Sequence, residues 1–227
     1  MRVVVGLGNP GDEYGRTRHN LGWLALEAVA RVFGAGNFRR ERQVEAAEAF
    51  WSGEKVYLLK PLAYMNRSGQ ALASWLGSFR EVRDEIRRRG VTPSEGAAGA
   101  AGKIGKAEAG EAECLWPGLL ILADDVNLPL GRLRLRPSGS AGGHNGLLDV
   151  EKALGGHGYP RLRLGVGAPP GRVDRADYVL GRFSREEMPA ALRAADRAAA
   201  AVGDWIALGL DAARDAHNGP DPGAAGG

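Results

Sequence analysis

The chain has 227 residues, 44% hydrophobic and 25% charged, with a formal net charge of +3. That length suffices for one domain around a sizeable core, and that charge is too small for a whole-molecule field that would capture polyanions. No apolar run approaches the ~20 residues that span a bilayer, the opening MRVVVGLGNPG turns to glycine too soon for a signal peptide, and the single cysteine, Cys114, cannot form an internal disulfide; the expected location is the cytoplasm, with no membrane contact.

The first element is a short β-branched run at residues 3–7, ended by Gly8, which reads as a strand covered on both faces. A polar loop follows. Leu21, Leu24, Ala25, Ala28, Val29 and Val32 then recur at three- and four-residue spacing, predicting an amphipathic helix over 20–33. Two strands at 44–51 and 55–60, joined by Ser-Gly-Glu, form a predicted hairpin that Pro61 stops. A helix from about Asn66 carries Leu72, Trp75, Leu76 and Phe79 as its apolar stripe and runs on into charged residues 80–89.

Residues at about 90–118 are rich in Ala and Gly and lack apolar periodicity, so they read as a flexible insertion. The apolar run 119–123 ends in Asp124 and Asp125, which predicts a central parallel strand with carboxylates at its C-terminal edge, where ligands of open α/β sheets gather. Strands at 131–136 and 161–166 flank a glycine-rich loop and a helix over 145–154. Alternation places Arg132, Arg134 and Arg136 on one face, and Arg161 with Arg163 on one face. Ser184 with Glu187 is a capping-box signature for a long Ala-rich helix, although Pro189 moves its start toward Met188; Trp205, Ile206 and Leu210 pack its end on the body. The expectation is one α/β domain over 1–212, a mixed, largely parallel twisted sheet with helices on both faces, and a flexible tail over 213–227.

Gly6, Gly8 and Gly11 satisfy the dinucleotide fingerprint G-x-G-x-x-G directly after a strand. Pro10 forces Asn9 out of helical space, the helical periodicity starts only at Leu21, and the acidic residue expected about 20 positions on is missing, Glu27 being mid-helix. The motif is therefore read as a turn with no cofactor. On residue chemistry alone, Asp124 with Asp125 fits a catalytic carboxylate or a Mg²⁺ ligand.

The polar loop delivers Asn9, Arg16, Thr17, Arg18, His19 and Asn20 to the end of the first strand. GLGNPG, TRHNLG, YMNRSG, the DD-x-x-LP-x-G of 124–131, GSAGGHNGL and RLRLGVG, in this order and spacing, resemble the bacterial peptidyl-tRNA hydrolase family over about 2–80 and 119–210. The resemblance implies a cofactor-free, metal-independent esterase, a monomer that releases a peptide from the 3′ end of tRNA. It assigns the catalytic histidine to His19 and its carboxylate partner to Asp124. Substrate-binding groups fall on Asn9, Tyr14, Tyr64, Asn66, His144 and Asn145, and the grip on the terminal phosphate of tRNA on Arg136 and Arg163. Two positions depart from the family pattern: Ala123 stands where histidine is frequent, and Arg136 where lysine is.

These residue types suit that chemistry. Ester hydrolysis needs an activated water and a place for the developing oxyanion. A histidine titrating near about 6.5 is a neutral base at cellular pH, and a carboxylate orients it and favours the imidazolium. Asparagine offers both donor and acceptor on a short stem, which fits reading a peptide main chain; which group meets the oxyanion stays open, Asn9 being one candidate. The glycine-rich stretch 138–143 would let backbone approach the substrate or move as a lid. Phosphate contacts carry no base information, as befits an enzyme that accepts every tRNA; Arg134, Arg161 and Arg172 would add a second basic ring. Non-catalytic RNA binding on the same fold is the alternative.

Overall fold

The computed structural model describes residues 1–79 and 116–219. The charged continuation over 80–89 and all but the last three residues of the expected insertion at about 90–118 lie outside them. Residues 116–118 belong to the body: the Val3 amide donates to the Gly118 carbonyl, and the Trp116 amide to that of Gly158.

Seven strands form one mixed sheet: β1 (Arg2–Gly6), β2 (Arg39–Glu41), β3 (Val44–Trp51), β4 (Glu54–Pro61), β5 (Leu119–Asp125), β6 (Leu133–Arg136) and β7 (Arg161–Gly165), in the order β2-β3-β4-β1-β5-β7-β6. β4, β1, β5 and β7 run parallel at the centre, and antiparallel strands close both sides. The described helices are α1 (Leu21–Val32), α2 (Ser68–Leu76), α3 (Asn145–Leu154), α4 (Arg175–Leu180), α5 (Met188–Leu208) and α6 (Leu210–His217).

β1 and β5 are continuous apolar runs because both of their faces are covered. Val4, Leu120 and Leu122 join one core with α1 and α5. Val3, Val5, Leu119, Ile121 and Ala123 point the other way, into a second core with Leu72 and Trp75 of α2 and Leu147 and Val150 of α3. Ala194, Ala195, Ala198 and Ala201 of α5 are buried in the core it shares with α1. Two glycines set how low α1 lies on the sheet. A Cβ at Gly22 would sit 2.5 Å from the Leu7 carbonyl oxygen and 2.6 Å from that of Leu122, and one at Gly6 would meet the Gly22 oxygen at 2.5 Å. α1 therefore starts in backbone contact with the C-terminal ends of β1 and β5, and the turn before it, Arg18–Asn20, is delivered to the end of β5.

Several boundaries differ from the sequence expectation. The helix expected from Asn66 begins as a tight 3₁₀ turn, Met65–Arg67, before α2 starts at Ser68. β2 is a polar edge strand, and α4 has six residues; neither is long enough to show periodicity. The capping box forms as reciprocal hydrogen bonds, the Ser184 amide to Glu187 at 2.7 Å and the Glu187 amide to Ser184 Oγ at 3.2 Å, with α5 starting at Met188 and Pro189 in its first turn. The expected tail over 213–227 starts too early. Ala213 is buried within α6, and the Asn218 side chain pairs with both the amide and the carbonyl of Leu135, capping the exposed edge of β6.

Candidate active site

A cavity of about 480 Å³ opens where β1 and β5 end. Its lining includes every expected catalytic and substrate residue, namely Asn9, Tyr14, His19, Tyr64, Asn66, Asp124, His144 and Asn145, together with Arg163. A smaller cavity of about 270 Å³ adjoins it, lined by Arg134, Arg136 and Arg161, and the two share Asp125, Gly142 and Arg163.

Asp124, the sixth residue of β5, is 2% exposed. Its Oδ1 is met by His19 Nδ1 at 2.8 Å and by His144 Nε2 at 2.9 Å. The partners fix the tautomers. Nδ1 of His144 accepts from the Gly146 and Leu147 amides at 3.1 and 3.2 Å, capping α3, so Nε2 carries the proton that goes to Asp124. His19 spends its Nδ1–H on the same oxygen and keeps Nε2 for the cavity. Both nitrogens of His144 are thus committed to protein partners, leaving its ring edge for any substrate, and its polar work is to hold Asp124. The donor atoms of His19, Asp124 and His144 lie within 4.8 Å of one another, close enough for a metal ion. With one His144 nitrogen capping α3 and the other protonated toward Asp124, however, that ring offers no lone pair to a metal.

Burial alone would push the Asp124 carboxyl up. The charges and hydrogen bonds of His19 and His144 more than offset that and hold it well below the usual carboxylate range.

Asn9 is 5% exposed and firmly oriented. The Asn20 side chain clamps its backbone from both ends, accepting from the amide and donating to the carbonyl at 2.9 Å each. The Asn9 Oδ1 accepts from the Met65 amide at 2.7 Å, so Nδ2 is the end left for the cavity. Asn66 sits in the turn that follows Met65, and Asn145 opens α3; both are exposed. Asp149 ties these two loops together, its Oδ2 accepting from the Gly69 and Gln70 amides at 2.8 and 3.1 Å. Tyr64 is exposed at the rim and Tyr14 half-buried.

Across the β6–β7 ladder Arg134 faces Arg163 and Arg136 faces Arg161. Four like charges on one face repel, and buried acids offset them. Asp125 Oδ2 accepts from Arg134 at 3.1 Å and Arg163 at 3.3 Å, while its Oδ1 takes the amide and side chain of Asn127. Asp125 is fully engaged in this network, which leaves it no part in a Mg²⁺ pair with Asp124. Arg161 lines the smaller cavity but is only 1% exposed, held by Glu151 and by the Ser140 and His157 carbonyls. Arg172 is exposed and lines neither cavity. Arg136 is exposed, with no hydrogen bond or ion pair to a described residue. The loop after Gly8 stays non-helical until the turn at Arg18, as the sequence expectation against a dinucleotide fingerprint required.

Sequence reasoning passed over the Asn20 clamp, the Asp149 tie and the Arg18 anchor. Arg18 binds both oxygens of Glu187, at 2.9 and 2.7 Å, and stacks on Tyr178, fastening the His19 turn to α4 and α5. The only sequence signal was polarity in the segments themselves: Asn20 lies 11 positions from Asn9, but Asp149 is 80 from Gly69 and Arg18 is 169 from Glu187.

The family model described as peptidyl-tRNA hydrolase matches residues 3–86 and 102–223. A peptidyl-tRNA hydrolase of Chloroflexus aggregans is 40% identical over 219 residues, covering 96% of this chain and 99% of that protein. One from Desulfitobacterium hafniense is 37% identical, covering 96% and 100%. The solved structure of the Acinetobacter baumannii peptidyl-tRNA hydrolase matches with a TM-score of 0.77 at 28% identity, covering 98% of this chain and 96% of that one. A match that begins in β1, runs past α6 and spans nearly the full length of these relatives makes this chain a member of the peptidyl-tRNA hydrolase family.

Proposed function

We propose that the chain hydrolyses the ester between a peptide, or an N-blocked amino acid, and the 3′-terminal ribose of tRNA, returning the tRNA to translation. The observation that carries this reading is the His19–Asp124 pair, buried on its Asp124 side and open to the cavity at His19 Nε2. His19 Nε2 takes a proton from a water as its oxygen attacks the ester carbonyl. The imidazolium so formed is stabilised by the Asp124 carboxylate. Asn9 Nδ2, oriented by the grip on its oxygen, donates to the oxyanion. The tetrahedral intermediate then breaks its bond to the ribose oxygen, which takes the proton back from His19 and leaves as the 3′-hydroxyl. Asn66 and Asn145 hold the peptide main chain, with Tyr14 and Tyr64 at its sides, while Arg136 and Arg163 receive tRNA phosphate.

The reaction so described draws only on protein groups and water, which supports a metal-free, cofactor-free enzyme. Among the described residues no helix is long and apolar enough to cross a membrane; sedimentation tests whether the chain is the monomer, working in the cytoplasm, that the family resemblance implies. The decisive assay compares N-acetyl-aminoacyl-tRNA with the unblocked aminoacyl-tRNA, in chelator, for wild type and His19→Ala. Release of only the blocked amino acid, lost in the variant, is the expected result. Salt-dependent tRNA binding without release would instead make the chain an RNA-binding protein.

A further inference from the structure

One cation of the ester cavity has no part in the chemistry so far. Arg175, the first residue of α4, lines the larger cavity, is exposed, and makes no hydrogen bond or ion pair with any described residue. Its neighbours are otherwise committed. Asp124 is held by two histidines, Asp125 by Arg134 and Arg163, and Asp174 accepts from the Ala176 amide at 2.7 Å as the cap of α4.

Arg175 stands at a defined place. Gly142 and Gly143 have φ of 61° and 81°, a conformation that other residues resist. A Cβ on Gly143 would be 2.6 Å from a guanidinium nitrogen of Arg175, and one on Gly142 would be 3.5 Å from a nitrogen of Arg163. The bare backbone of these two glycines is therefore flanked by two guanidiniums, one on Gly142 and one on Gly143. Gly142 and Arg163 also line the smaller, arginine-walled cavity, so the glycine pair is the sill between the two chambers. A nucleic-acid strand whose phosphates enter at Arg136 and whose terminal ester reaches His19 crosses this sill, and Arg175 is a cation on its ester side with no partner among the described residues.

We propose that Arg175 binds a phosphodiester of the substrate's single-stranded 3′ end, the phosphate nearest the ester. The inference rests on the reading of Arg136 and Arg163 as phosphate ligands. It names a contact that sets affinity and leaves the chemical step to His19.

A phosphate contact has a signature that packing lacks. Each phosphate neutralised on a single strand contributes about 0.7 to the slope of log affinity against log salt. With N-acetyl-aminoacyl-tRNA across a salt series, Arg175→Ala should raise KM about tenfold, the low end for a charged contact, with little change in kcat, and flatten the slope by about 0.7. Arg175→Lys should restore most of the slope. The N-acetyl-aminoacyl ester of adenosine, which has no phosphodiester, should show a much smaller loss. An unchanged slope overturns the proposal, and so does an equal loss on both esters, which would place the contact on the peptide or the sugar. Arg136→Ala, run alongside, separates the two levels: if it flattens the slope and Arg175→Ala does not, only this inference fails; if neither does, the phosphate reading itself fails. Melting temperatures should stay unchanged, because the Arg175 side chain has no partner among the described residues to lose.

Discussion

Replacing Asp124 with asparagine keeps the shape of the carboxylate and an acceptor oxygen for both histidines while removing the charge. On the proposed mechanism the charge matters at one moment, when His19 becomes an imidazolium. Two unit charges about 4 Å apart attract by about 4 kcal/mol at an effective dielectric of about 20, and Asp124 is buried enough that water does little to screen the pair. A neutral hydrogen bond retains about 1 kcal/mol of that. The remaining ~3 kcal/mol corresponds to a fall in kcat of about a hundredfold, at about 1.4 kcal/mol per factor of ten. KM should move by less than about threefold, because Asp124 meets histidines and not the substrate. Single-turnover release of N-acetyl amino acid from saturated enzyme isolates the chemical step. A variant that retains more than about a third of wild-type kcat would show that the carboxylate does not stabilise the transition state. Stability supplies an independent reading. Because the folded protein holds the carboxyl well below its ordinary range, ionised Asp124 contributes stability above about pH 4, the unfolded value, and the contribution fades as pH falls further. The gap in melting temperature between wild type and Asp124→Asn should therefore narrow as pH falls below about pH 4.

Gly22→Ala should destabilise the fold by at least about 3 kcal/mol, the upper end for overpacking, because the new methyl meets two carbonyl oxygens of the sheet; denaturant melts check this, and a loss under about 1 kcal/mol would mean that α1 can lift off the strands. Asp149→Ala should cost about 1 kcal/mol as a lost helix cap and raise KM severalfold by loosening Asn66 relative to Asn145. An unchanged KM alongside the lost stability would make Asp149 a cap and nothing more.

The long elements were legible because each has one covering partner on a regular face. The α1 stripe and the doubly buried β1 and β5 declare themselves in the pattern, and α3 begins and ends where its sequence places it. The roles proposed for His19 and Asp124 were legible only as a resemblance. They are 105 positions apart, and no local pattern reports that a glycine-lowered helix brings them to 2.8 Å. Arg161 shows the opposite limit. Alternation placed it correctly on a face shared with Arg163, yet burial depends on Glu151 and two carbonyls that lie elsewhere in the chain. β2 and α4 were missed because three and six residues carry too few repeats to distinguish a period.

His144 caps α3 with one ring nitrogen and steadies Asp124 with the other. Fraying the first turn of that helix therefore loosens the acid that orients the proposed base. On gentle heating, inactivation should run ahead of the global melt, with amide exchange at Gly146 and Leu147 rising in step with the loss of turnover. A stabilising substitution elsewhere in the sheet would raise the melting temperature without lengthening the working life of the enzyme. One that tightens the start of α3 would extend that working life.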